Sequence, residues 1–356
     1  MINPASNPTS RPLAPPSEAF RTHSRYVQAF AMLVAPHAAT TAEALDSVAA
    51  TVAAQPIARR SAVATAGALH SLRIAWNKEL LLDLLASTAA DDERVRLVNT
   101  DAVTHVYYVA FHCTQALAQA KGRTRTTSHT VVQKNFHDFW SGPSCRIEPW
   151  SLSFGNDGYH NVRTGVRVDH AGQHNWSRPD GDNCWSIALK ALRTTREDDV
   201  VIALARRRND LRKRRKQEWE REEATRCERG RKPRRRPVFA RPHLSMSERN
   251  VILASVRPNT ILDYLYRLRI RTNYQDPSMF TDGPDREGES ERVLAALRLL
   301  STSTLLVHEL RLAQLLGRES ILAAATGFLN SAPVQIDVAM RGRQGLLAQH
   351  AATGTR

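Results

Sequence analysis

The chain has 356 residues, 42% of them apolar and 6% aromatic, with a formal charge of +15. Those totals permit a sizeable core in one elaborated domain or two, and abundant Ala and Leu favour helix over sheet. The charge points to polyanionic partners, nucleic acid ahead of an anionic membrane surface. Only seven basic residues are Lys and the other 43 are Arg, a skew that GC-rich coding alone is able to produce, so Arg abundance by itself is weak evidence for phosphate recognition. Cys113, Cys145, Cys184 and Cys227 form no CxxC pair. That argues against a disulfide framework and for reduced thiols in a cytoplasmic protein.

Residues 1–16 are Pro- and Ser-rich without an apolar run, and read as a disordered leader, not a secretory signal. No stretch reads as long and apolar enough to span a bilayer. A helix is expected over 17–36, with Phe20, Val27, Phe30 and Leu33 on one side, and a short Ala-rich one over 41–54. The stretch 59–88 carries a wide stripe of Leu69, Leu72, Ile74, Trp76, Leu80, Leu81 and Leu84. Asp91, Asp92 and Glu93 then break the chain or open the next helix. That helix, 102–122, is expected to organise the chain: Val103, Tyr107, Ala110, Phe111, Thr114 and Leu117 recur at three- and four-residue steps. Gly122 supplies its left-handed stop. A basic turn, RTRTTSH, leads into a short helix over 130–140.

The character changes at 141. Residues 141–183 carry Gly, Asn, Asp, Pro and Trp with brief period-two runs at 150–154 and 161–168, the pattern of loops with a small β-hairpin. Helical pattern returns at Cys184, and Thr194-Thr195-Arg196-Glu197 has capping-box form at the head of a helix over 195–229. Residues 231–237, RKPRRRP, form a linker. Ser245 to Glu248 opens a short helix, Asn259 or Thr260 caps another over 261–274, and an acidic Gly/Pro loop covers 276–289. A strongly amphipathic helix over 291–316 closes at Gly317, and lesser helices over 319–329 and 334–349 finish the chain. The reading is a mainly α up-and-down helical bundle, interrupted by a loop/β-hairpin module and a long basic helix. The leader (1–16) precedes the first half of the bundle (17–140), the insertion (141–250), the second half (251–316) and the C-terminal helices (317–356).

Tyr107, Tyr108 and Phe111 on one helix, Lys121-Gly122 at its end, and Ser128-His129 at the start of the next resemble the HEPN superfamily of small helical bundles. Arg269, Asn273 and Tyr274, ahead of a loop and a long helix, resemble that family's later signature. The resemblance covers roughly 60–140 and 258–316, and residues 141–250 are an insertion that the minimal family lacks. It implies a dimeric bundle. In nuclease members an arginine and a histidine with four to six residues between them meet at the dimer cleft and cut RNA without metal, often in toxin or anti-phage systems with a neutralising partner. The arginine would stabilise the phosphorane charge and the histidine would exchange protons with the reacting oxygens. Carried over, Arg269 holds phosphate while Asn273 and Tyr274 make polar contacts. This chain departs in ending the motif with Tyr274, and a tyrosine titrating near about 10 is a poor base at neutral pH. The alternative is a non-catalytic module that docks on nucleic acid or a partner enzyme.

Weighed without the resemblance, Arg269 pairs with a carboxylate such as Asp263 or Asp276, and Tyr274 caps the bundle edge. Other Arg-x4–6-His strings occur by chance in so Arg-rich a chain: Arg123–His129, Arg163–His170, Arg167–His174, Arg236–His243, and Arg343–His350 at a frayed terminus. Residues 206–236 hold sixteen basic and six acidic residues, so they carry +10 of the +15. A helix polar on every side buries nothing and either projects into solvent or lies on a polyanion. Arg207, Arg208, Arg212, Lys213, Arg214, Arg215, Lys216, Arg234, Arg235 and Arg236 are the candidate nucleic-acid contacts, RNA ahead of DNA. The bland reading is a solvated helix with pairs such as Glu222–Arg226.

Trp140, Trp150, Phe154, Tyr159, Trp176 and Trp185, near Arg146, Arg163, Arg167 and Arg178, read as the small core of the insertion rather than as base-stacking platforms. Cys145, His170, His174 and Cys184 are zinc-capable types without CxxC spacing, so no metal or cofactor is expected. His105, His112, Cys113 and His308 read as structural, with His112 and His308 able to line a bundle pocket. P-loop, dinucleotide, HExxH and GxSxG patterns are absent, which argues against nucleotide hydrolases, dehydrogenases and the common hydrolases.

Overall fold

The computed structural model describes residues 14–55, 57, 65–142, 145–156, 158–160, 179–180, 183–240, 242–331 and 338–350. It is a mainly α helical bundle. Helix α1 (Pro16–Val34) buries Phe20, Val27, Phe30 and Leu33, and α2 (Thr41–Ala53) is capped by the Thr40 side chain. Helix α3 (Thr65–Thr88) and α4 (Asp92–Ala120) form a helical hairpin, with Asp91 accepting from the Arg94 N–H as N-cap, so the acidic triplet opens the helix. Gly122, at φ 81°, ends this helix. Helix α5 (His129–Trp140) starts on the Ser128 cap. The hairpin pairs β1 (Ser153–Gly155) with β2 (Gly158–His160), while the second expected strand run, 161–168, lies outside the described residues.

A single 45-residue helix, α6 (Cys184–Glu228), follows. The expected cap at Thr194 does not form: Thr195 Oγ1 donates to the Ala191 carbonyl at 2.7 Å and Glu197 pairs with Arg193 at 3.0 Å, both side chains serving a continuous helix. Helix α7 (Met246–Ser255) comes next and opens with the expected capping box. Helix α8 (Ile261–Ile270), boxed by Thr260 and Asp263, runs into a π-helical turn over Arg271–Gln275. Helices α9 (Glu289–Leu316), α10 (Arg318–Ser331) and α11 (Val338–His350) complete the chain.

The core centres on two helices. Helix α4 packs on α3, α5, α8 and α9, and α9 also meets α1, α2, α3, α10 and α11. Helix α9 is long and apolar enough by length and composition to cross a membrane, contrary to the sequence reading, but most of that stretch is buried inside the bundle. The inward face of α3 also differs from the expected stripe. Ala68, Leu72, Ala75, Trp76, Glu79 and Leu82 are buried, whereas Leu81 and Leu84 are exposed. The buried carboxylate explains the rotation, since Glu79 is directed at partners on α9 and α11.

The insertion is only partly extruded. Ile147, Trp150 and Leu152 join the main core, and Trp150 Nε1 donates to Thr304 Oγ1 on α9 at 3.0 Å. The first turns of α6, through Cys184, Trp185, Ala188, Leu189 and Leu192, pack on α1 and α8. The boundary expected at 141–250 is therefore set too wide, because these apolar residues are bundle wall. Only the charged outer part of α6 leaves the core, and Arg196 fixes where it does so. Its guanidinium donates to the carbonyls of Leu253, Val256 and Arg257 at 2.7–3.0 Å. Cys113, Cys145, Cys184 and Cys227 form no disulfide, and the first three are buried.

Candidate functional site

Tyr107, Tyr108 and Phe111 on α4, His129 at the head of α5, and Tyr266 and Arg269 on α8 converge on one cluster. The Arg269 guanidinium lies 5.1, 5.5 and 5.3 Å from the ring centroids of Tyr107, Tyr108 and Tyr266, and Nη1 donates to the Tyr108 hydroxyl at 3.3 Å. The carboxylates that could have neutralised it are engaged elsewhere. Asp263 pairs with Arg257, and Asp276 lies 3.7 Å from Arg271. Arg269 is 8% exposed, and its Nε is buried without an acceptor among the described residues. Among the described residues the charge is thus held by three ring quadrupoles, each such contact contributing about 0.5–2 kcal/mol, and by the Tyr108 hydroxyl.

His129 packs with tilted rings against Tyr266 and Phe111, both at 5.2 Å between ring centroids. Its Nδ1 meets the Tyr107 hydroxyl at 2.5 Å. Burial, then the nearby Arg269 charge, lowers the His129 pKa below its ordinary value, so the ring is neutral at pH 7. Burial also raises the Tyr107 pKa, keeping that phenol protonated. A phenol can donate or accept, so Tyr107 stabilises either tautomer of His129. When Nδ1–H donates to the Tyr107 oxygen, Nε2 carries a lone pair, the form a general base needs. His112 stacks on Tyr108 at 6.0 Å, its pKa pushed down to about 4 by burial, then Arg125.

The structure separates the three residues of the expected motif. Asn273 is exposed and exchanges hydrogen bonds with Thr104 at 3.3–3.4 Å, and Tyr274 is 63% exposed. Both stand on the π-helical turn that follows α8. Pro277 follows and prevents the helix from resuming. The histidine that meets Arg269 comes instead from another element. His129 had a signal in the Ser-His start of its helix, whereas its pairing with Arg269 spans a sequence separation no local string displays.

The second charged feature is the arm. From about residue 200, α6 runs into solvent; the chain turns at Gly230 (φ 70°), and the segment 231–240 lies back along the helix. The return is tied down by Glu223, which accepts from the Arg234 side chain at 2.7 Å, by Arg236 to Glu220 at 3.4 Å, and by a Trp219–Phe239 edge contact at 6.2 Å. Arg226 donates to the Lys232 carbonyl at 3.0 Å instead of pairing with Glu222. Among the ten candidate cations, Arg207 pairs with Glu248, Lys216 and Arg236 share Glu220, and Arg234 engages Glu222 and Glu223. Arg208, Arg212, Lys213, Arg214, Arg215 and Arg235 have no carboxylate partner among the described residues.

The other Arg–His strings do different work. Arg123 pairs with Asn135 and Asp138. Arg343, expected at a frayed end, is fully buried: its guanidinium holds Glu79 at 2.6 and 2.7 Å and Glu309 at 3.2 Å. His170, His174, Arg163, Arg167, Trp176 and Arg178 lie outside the described residues. Family models, curated proteins and solved structures give no match to this chain.

Proposed function

We propose that this chain is an RNA-associated helical protein of HEPN type whose basic arm is the RNA contact. The observation that carries the reading is the arm itself. Five cations without carboxylate partners among the described residues sit on a helix that buries almost nothing beyond residue 200, and a sixth, Arg235, lies on the return segment. Exposed ion pairs such as Lys216–Glu220 contribute little to stability, so a phosphate can displace them cheaply. The resemblance adds the expectation of a homodimer and, in a toxin or phage-defence setting, of a neutralising partner protein. The test is RNA binding by the full chain as salt is raised. For single strands the logarithm of affinity falls with that of salt with a slope near −0.7 per phosphate neutralised. Replacing Arg212, Lys213, Arg214 and Arg215 by Gln should therefore flatten the slope by about 2–3. A slope unchanged by that replacement removes the arm as the phosphate contact.

The neutral His129 beside Arg269 favours a second reading, metal-independent RNA cleavage. His129 Nε2 would take the proton of a 2′-hydroxyl as its oxygen attacks phosphorus. The 5′-oxygen leaves with a proton returned by the imidazolium, and Arg269 offsets the charge on the phosphorane. Tyr107 would hold the tautomer. Incubation with total RNA in EDTA should then give fragments, and Arg269→Ala or His129→Gln should slow their appearance about 100-fold or more. Salt-dependent binding without fragments would leave the non-catalytic module, and cleavage unaffected by Arg269→Ala would remove that residue from the mechanism.

A further inference from the structure

Where the return segment crosses the outer part of α6, a cleft of about 540 Å³ opens between them. Its charged wall is Arg212, Lys213, Lys216 and Arg236, and its apolar part is Pro237, Val238 and Phe239. This mixture is chemically specific. A surface that merely attracts polyanions needs only cations, and burying an aromatic among guanidinium groups gains nothing from phosphates. Val238 is 95% exposed, and Phe239 is half-buried with Trp219 packed against it edge-on. Trp219 and Phe239 are the only aromatics in the charged stretch 206–245. The fold brings them together by doubling the chain back. Two of those cations, Lys216 and Arg236, share Glu220 at 3.6 and 3.4 Å. Arg212 and Lys213 carry no such partner among the described residues.

We propose that this cleft is a nucleotide-sized site for single-stranded nucleic acid, in which an unstacked base lies against Phe239 while flanking phosphates lie on Arg212, Lys213, Lys216 and Arg236. The cleft falls within the size range of small-ligand sites. Duplex bases are already stacked inside their helix and cannot reach a ring recessed in a cleft, whereas single strands present bases that stack on any aromatic face. The site would thus make the arm a reader of unpaired segments. This inference rests on the nucleic-acid reading above and names the substrate class of the same arm.

The test is equilibrium binding of the full chain to a 12-nucleotide oligouridine, to an abasic oligomer of the same backbone, and to a duplex of equal length. Phe239→Leu keeps the apolar contact with Trp219 but removes the ring, and Phe239→Ala removes both. Both variants should bind oligouridine about tenfold more weakly, the lower part of the range for one stacked base. Their salt slope and their affinity for the abasic oligomer should match the unaltered protein. Equal affinity of Phe239→Leu and the unaltered chain for oligouridine would overturn the cleft as a base site, as would a preference for duplex. If either occurs while salt-dependent binding persists, only this inference falls. No nucleic-acid binding at all would remove both it and the proposed function. A deoxyuridine oligomer in parallel shows whether the sugar contributes.

Discussion

Two side chains of one chemical type, His129 and His308, show how position sets behaviour. His129 is half-buried and leans on a phenol, whereas His308 is fully buried on α9, with Trp140 4.9 Å away and Nδ1 bonded to the Thr304 carbonyl at 2.8 Å. Its Nε2 has no partner among the described residues, and burial pushes its pKa down to about 4. The linkage has a definite sign. The unfolded chain's histidine binds a proton near about 6.5 while the folded one refuses it until about 4, so the unfolded state is favoured progressively as pH falls through that window. A difference of that size corresponds to roughly 3 kcal/mol lost between the two pH values. Urea unfolding at pH 7.5 and pH 5 should show the loss, and His308→Gln should shrink the difference between the two. An identical pH dependence in the variant would show that His308 is not its source.

Among the elements, α11 gives the sharpest case of a segment whose role its own sequence conceals. It is short, weakly patterned and close to the end of the chain, yet Arg343 plugs it into the bundle between Glu79 of α3 and Glu309 of α9. Trp76 Nε1 and Thr302 Oγ1 complete the shell, donating to Glu309 at 2.7 Å and to Glu79 at 2.8 Å. Two carboxylates facing one guanidinium leave no spare cation. Arg343→Met should therefore strand both acids in the core and destabilise the fold by about 3–5 kcal/mol, a large share of the total for an ordinary domain. Denaturant midpoints at pH 7 check this, and a loss below about 1 kcal/mol would mean that water reaches the pair. The outer part of α6 is the opposite case. Its charge pattern announces that it has nothing to bury, and it does leave the bundle.

At the scale of the whole molecule, what was legible followed from local rules. The positions of nearly all the helices, the caps at Ser245 and Thr260, the stops at Gly122 and Gly317, and the projection of the charged stretch depend on interactions within a few residues. Sequence therefore determined a mainly helical chain with a basic arm. Local pattern failed wherever a residue answered to a distant partner. The face of α3 turned to suit Glu79, the Thr194 cap gave way to a continuous α6, and Trp150 and the head of α6 were drawn from the insertion into the common core. Arg269 found three tyrosines in place of a carboxylate, because Arg257 and Arg271 had taken Asp263 and Asp276. Only tertiary structure could decide those matters: a buried charge takes whichever partner packing puts within reach, and reach across a bundle is unrelated to separation along the chain.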